Sequence, residues 1–269
     1  MGTLTTGTTG TTGTRVTRGT RALVVGGSGL LVFALAGCGA DADAKSAPVE
    51  SKSFPLSGKT LTIDTDDSAI ELVAADVPGV QVTRQVDGWV FMGNGPDPSW
   101  KMADGKLTLR LKCSAVASDC EARHTVKVPR DVAVTVDNDN GGVTATGFRT
   151  ALKIRSDNGS VTVRDASGPL TLDSDNGKVV TERVSAKSVS VRSENGSVRI
   201  GLTAVPERVE TVSDNGGITI ELPRAGAPYA VTAKSDNGDV DVDVPTDQDS
   251  AHVVTARSDN GKVTVRSAN

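Results

Sequence analysis

Between residues 134 and 265, apolar and polar residues alternate in short runs that break at a recurring place. Each break is a turn built on Asn-Gly. The first is Asn138-Asp139-Asn140-Gly141, and the others open at Ser156, Ser174, Ser193, Ser213, Ser235 and Ser258 as Ser-Asp-Asn-Gly or Ser-Glu-Asn-Gly. Four residues before the turn opens stand Val134, Leu152, Leu170, Val189, Val209, Val231 and Val254. Five after it stand Val143, Val161, Val179, Val198, Ile218, Val240 and Val263. The positions two before and seven after are also apolar, except at Thr211 and Thr181. Period-2 alternation in β-branched residues predicts strand, turn, strand in every repeat. A divergent copy around Thr65-Asp66-Asp67-Ser68 places Leu61, Ile63, Ile70 and Leu72 at the same four inward positions.

Successive Asn-Gly pairs lie 18 to 23 residues apart, the period of a solenoid. An antiparallel meander would also use Asn-Gly turns, but hairpin register does not require neighbouring hairpins to share a sequence. A parallel stack does, because each residue sits on its counterpart about 4.8 Å above and below. The fold expected is therefore an all-β parallel β-helix of about eight coils, with the asparagine amides hydrogen-bonding along the stack and glycine admitting positive φ at the turn. In sequence order, the coil at 258–266 is last. It is expected to leave an open strand edge that contacts a second copy or a partner's strand.

The N-terminal region carries a different signal. Residues 1–14 are Thr/Gly-rich; Arg15, Arg18 and Arg21 then precede an apolar run from Ala22 to Ala36. That run is too short for an ordinary membrane span but suits a secretory signal peptide. Leu35-Ala36-Gly37-Cys38 resembles the lipobox of bacterial lipoproteins. The resemblance implies cleavage before Cys38, a diacylglyceryl thioether on its sulfur, and a site on the outer face of the cell membrane. The chain then divides into a signal peptide (1–37), a lipid-anchored tether (38–52) holding the domain off the membrane, and the solenoid domain (53–269). Within that domain 53–130 is irregular and 131–269 regular. Cleavage takes three of the 29 basic residues and none of the 33 acidic ones, leaving a net charge of −7 that argues against nucleic acid and anionic lipid as partners. In an exported chain, the remaining pair Cys113 and Cys120 is expected to form a disulfide.

The phrase Ser-Asp-Asn-Gly-x-Val-x-Val, repeated behind a lipobox, resembles the bacterial putative adhesin family of surface β-helix proteins. So does the lead-in Lys127-Val128-Pro129-Arg130. The resemblance implies a parallel β-helix, an extracytoplasmic location and no established catalysis.

Two features offer candidate chemistry. Stacking would align the turn carboxylates, with Asp157, Asp175, Glu194, Asp214 and Asp236 as the weak candidates for a metal. Neighbouring carboxylates about 5 Å apart repel by about 0.8 kcal/mol in water. Either each carboxylate accepts backbone N–H groups of its own turn, or calcium bridges the column. No other cofactor is implied. The second feature is aromatic: Trp89, Phe91 and Trp100 interrupt the repeats. They either plug the N-terminal end of the solenoid or form a recognition surface for a protein or a cell-wall polysaccharide. A β-helix polysaccharide-active enzyme needs long loops carrying carboxylates and basic residues, and the regular repeats offer none. The reading is a lipid-anchored interaction module of adhesion type without catalysis, with polysaccharide or calcium binding as the alternative.

Overall fold

A computed structural model describes residues 42–224 and 228–268. Cys38, the apolar run before it and the cleavage site lie outside the described residues. The described residues form one compact unit. A 3-10 turn (Ala44–Ser46) leads into strands β1 (Glu50–Phe54), β2 (Thr60–Asp67), β3 (Ala69–Ala75), β4 (Val80–Ala103) and β5 (Lys106–Pro129). The repeats follow as β6 (Ala133–Asn140), β7 (Val143–Thr146), β8 (Leu152–Asn158), β9 (Val161–Arg164), β10 (Leu170–Ser174), β11 (Val179–Val184), β12 (Ser188–Ser193) and β13 (Val198–Leu202). The last six are β14 (Arg208–Asn215), β15 (Ile218–Leu222), β16 (Ala230–Asn237), β17 (Val240–Asp243), β18 (Val253–Asn260) and β19 (Val263–Ser267).

The repeat strands pair in parallel, position on position. Val134 lies beside Leu152, which lies beside Leu170, and Val189 and Val209 continue the row. This is a parallel β-solenoid whose inward Val, Ile and Leu residues form one continuous core. Of the two polar inward residues, Thr181 is satisfied, because its hydroxyl accepts from the Gly201 amide at 3.2 Å. Thr211 Oγ1 is buried without a protein partner.

The turn asparagines form a single amide ladder. Asn158 donates to Asn140, Asn176 to Asn158, Asn195 to Asn176 and Asn215 to Asn195, each at 3.1–3.2 Å. Asn140 closes the row by donating to Asp67 Oδ1 at 2.8 Å. The turn glycines serve a purpose other than the one expected. Only Gly141 among them has φ in the left-handed range, at +105°. At Gly177 a Cβ would lie 2.1 Å from the Gly159 carbonyl oxygen, so the requirement there is close stacking between coils.

The coils are not stacked in the order of the chain. β14 pairs with β18, and β18 with β16. β15 likewise pairs with β19, and β19 with β17. The C-terminal coil therefore lies between the two coils that precede it in sequence. The ladder follows this order, with Asn260 donating to Asn215 and Asn237 to Asn260. The expected open edge at 258–266 is thus incorrect. Val263 and Val265 are fully buried, and the end of the stack is β16–β17, where Val240 and Val242 are 44% and 39% exposed. The loop after β17 covers only the start of this edge, where Thr246 bridges to Tyr229 and Gln248 donates to the Val231 carbonyl.

Outward charge favours this order. The inward residues of the two coils are identical: Val231, Ala233, Val240 and Val242 in one, Val254, Ala256, Val263 and Val265 in the other. The core does not distinguish them. Outward, Arg266 sits opposite both Glu221 and Asp243 and forms an ion pair with Glu221. Sequential stacking would set Glu221 directly against Asp243, a like-charge pair that destabilises a sheet.

At the other end a hairpin closes the stack. The first part of β5 pairs in parallel with β2 and its last part with β3, so β5 imitates a coil. β4 runs antiparallel to β5, and β1 antiparallel to the start of β4. Residues 42–54 are therefore part of this cap and do not act as a free tether.

Candidate functional site

The middle of the β4–β5 hairpin leaves the solenoid as a two-stranded ribbon. β5 touches the first coil through residues 106–109 and again from 123 onward. The intervening residues span a corner that β2 and β3 turn at Ser68 alone. Seven residues of straight strand would cover about 23 Å, yet the Cα atoms of Cys113 and Cys120 are 6.6 Å apart and their sulfurs are joined. The ribbon thus folds back on itself. Gly88 and Gly95 of β4 face this disulfide, with φ of +152° and +130°. A Cβ on either would crowd a cysteine sulfur, at 3.1 and 3.4 Å respectively. Arg110 clamps the base of the ribbon to the first coil through the Asp64 carboxylate and carbonyl, and Leu111 N–H donates to Asp66. Mass spectrometry with alkylation should label Cys113 and Cys120 only after reduction; labelling of both beforehand would exclude the bridge in the native protein.

The three aromatic candidates separate. Trp89 and Phe91 lie on the ribbon, 40% and 58% exposed, and are joined there by Met92 and Val116 at 74% and 77%. Trp100 instead packs against the core at the hairpin base, with the Arg84 guanidinium 4.1 Å from its ring centroid. The plug and the exposed surface are therefore both present, on different residues. No sequence signal marks Met92 and Val116 as exposed: the consecutive apolar run Val90-Phe91-Met92 is the pattern of a strand buried on both faces.

The turn carboxylates do not converge. Among the described residues no three His, Cys, Asp or Glu side chains are placed to hold a metal ion. Basic residues occupy the gaps instead: Arg155 reaches Asp157 and Asp175 at 3.5 and 3.6 Å, and Arg257 reaches Asp236 and Asp259 at 3.5 and 3.6 Å. The calcium reading of Asp157, Asp175, Glu194, Asp214 and Asp236 has no cage to support it. Asp139, at the start of the column, retains the strain of stacking. Burial, and then the neighbouring Asp157, push its carboxyl above the usual range.

A groove of about 460 Å³ runs beside the hairpin, lined by Glu71, Thr83, Arg84, Gln85, Arg123 and Thr144 among others. Arg84 is committed to Glu50 at 2.7 Å. His124 also lines this groove, but it is buried in the inward row with Ala122, Val126 and Val128. Neither of its ring nitrogens has a protein partner. The other histidine, His252, contacts the Pro206 carbonyl through Nδ1. No hydroxyl nucleophile pairs with a histidine among the described residues.

The family model Toastrack DUF4097 matches residues 99–269. The chain belongs to the Toastrack DUF4097 family. The match begins inside β4 and takes in every coil from β6 onward. A crystal structure of a putative adhesin from Bacteroides fragilis is similar at 18% identity, covering 83% of this chain and 98% of that one with a TM-score of 0.51. That likeness shows a shared fold. A putative cell adhesion protein from Clostridium sporogenes aligns at 11% identity over 82% and 99% of the two chains, with a TM-score of 0.37. No curated protein matches this Toastrack chain.

Proposed function

We propose that this Toastrack protein is an extracytoplasmic interaction module, anchored by a diacylglyceryl thioether on Cys38, that presents rigid solenoid faces to another macromolecule without catalysis. The observation that carries this reading is the uninterrupted stack. Its coils differ little in length, its outward strand faces carry polar and charged side chains, and its turns are locked by the asparagine ladder. Such a body offers a repeating surface, and the adhesin name of its fold relative supports the same direction. The polysaccharide alternative rests on Trp89 and Phe91. It is weakened by the withdrawal of Trp100 to the hairpin base, which removes a paired-tryptophan platform.

The anchor is tested directly. Cys38→Ser should release the protein into the medium or leave an uncleaved precursor, judged by fractionation and intact mass. A normally processed product that stays on the membrane would remove lipidation from the reading. Capture from intact cells with the leaderless chain, compared with a variant carrying charge reversals along one solenoid face, tests the interaction role; equal recovery of every protein by both would count against it.

A further inference from the structure

The exposed apolar ribbon and the entry of the chain into the domain lie at the same place. The Ala42 amide donates to Asp119 Oδ2 at 2.8 Å, the Asp43 amide to Asp87 Oδ2 at 2.8 Å, and the Ala44 amide to Glu121 Oε2 at 3.1 Å. Gln85 donates to the carbonyls of Lys45 and Ala47 at 2.9 and 3.0 Å, and Ala44 is fully buried. All four anchoring side chains belong to the ribbon or its root. Asp119 sits directly across the hairpin from Trp89, and Ala117 from Phe91.

Four peptide links separate Cys38 from Ala42, a reach of at most about 14 Å. Whatever holds the Cys38 sulfur therefore holds the ribbon close by. Its exposed side chains suit a bilayer boundary: tryptophan is enriched at headgroup depth, and Phe91, Met92 and Val116 are apolar without a hydrogen-bonding group. No basic cluster accompanies them, since Asp87, Asp119 and Glu121 dominate the ribbon's charge around the entering chain.

We propose that this ribbon is a membrane-contact element, with Trp89, Phe91, Met92 and Val116 seated in the headgroup–acyl boundary of the bilayer that carries the lipid on Cys38. The inference rests on the anchored reading above. It reverses the role expected for residues 38–52, which bring the cap down to the membrane. The two acyl chains already attach the chain stably; the tether they provide holds the ribbon at high local concentration beside the bilayer, so a weak apolar contact there is enough to orient the cap. The solenoid then projects from the ribbon, and its open β16–β17 end lies farthest from the lipid.

The experiment uses Trp100→Phe protein, in which Trp89 is the remaining tryptophan, with the disulfide oxidised. Lipidated protein extracted from membranes is reconstituted into phosphatidylcholine vesicles with or without brominated acyl chains. In a second arm, leaderless protein is coupled through the Cys38 thiol to a maleimide lipid in the same vesicles. In both arms Trp89 emission should be blue-shifted relative to the leaderless protein in buffer, and brominated chains should lower it to about half of its value in unbrominated vesicles, as for tryptophan at the interface. The effect should persist in high salt and without anionic lipid. Phe91→Ser with Met92→Ser and Val116→Ser should abolish the quenching while far-UV circular dichroism stays unchanged. Extracted protein whose mass lacks acyl chains would sink the anchored reading alone, since the coupled arm still reports on the ribbon. Trp89 that stays unquenched and open to aqueous iodide in the coupled arm overturns the proposal. So does shielding that appears only when a second protein is added, which would make the ribbon a protein-docking surface.

Discussion

Val265→Asp should destabilise the leaderless protein by about 4 kcal/mol, the range for an unpaired charge placed in a packed core. The same change at the equivalent position of the preceding coil, Val242→Asp, should cost less than about 1 kcal/mol, because that side chain can turn its carboxylate to water. Urea denaturation of both variants measures the difference. Stacking in chain order predicts the opposite ranking, with Val265 at the open end and Val242 enclosed. Equal effects, or a larger loss at Val242, would refute the interleaved order of the last two coils.

Acidification should weaken the fold through His124. Burial, and then the nearby Arg84, lower its pKa from 6.5 to about 4, against a small opposing effect of Asp66. The native ring thus stays neutral between pH 6.5 and 4, whereas the unfolded chain takes up a proton as pH drops below 6.5. Protons bind more to the unfolded state in this window, so stability falls as pH falls through it and the loss levels off below pH 4. At pH 4.5 the expected loss relative to pH 7.5 is about 2.5 kcal/mol. His124→Leu should remove this component, leaving only the carboxylate titrations that both proteins share. If the two proteins lose stability in parallel between pH 7.5 and 4.5, His124 is not the group responsible.

The strands of the regular repeats were legible because an inward face of valine and isoleucine leaves a period-2 trace, and stacking register was legible because identical positions recur. Coil order was not, for a physical reason: the last two coils contribute the same Val-Ala-Val-Val set to the core, so the apolar pattern is indifferent to which lies outermost. The discriminating residues were outward, Arg266 against Glu221 and Asp243, in a part of the pattern that reads as generic polarity. The ribbon was hidden differently. Gly93, Gly95, Pro96 and Pro98 resemble a loop, yet they lie in a strand whose glycines make room for the disulfide and for the opposing backbone. Trp89, Phe91 and Trp100 are neighbours in sequence, but the ribbon carries the first two outward while Trp100 remains at the root beside Arg84. The docking of residues 42–47 depends on carboxylates some forty to eighty positions away, which no local pattern records.

The interleaved threading also dictates a schedule. A chain that emerges from its N-terminus can lay down the cap and the coils through β15 one on another, each with a finished neighbour to template it. The coil β16–β17 emerges next but finds its seat missing, because the strands it rests on are the last to be delivered. It can rest for a time on β14–β15, whose core face suits either coil, but it must yield that place to β18–β19 before the two coils settle together. A fold that would otherwise grow by small independent increments thus finishes with two coils that settle as one unit.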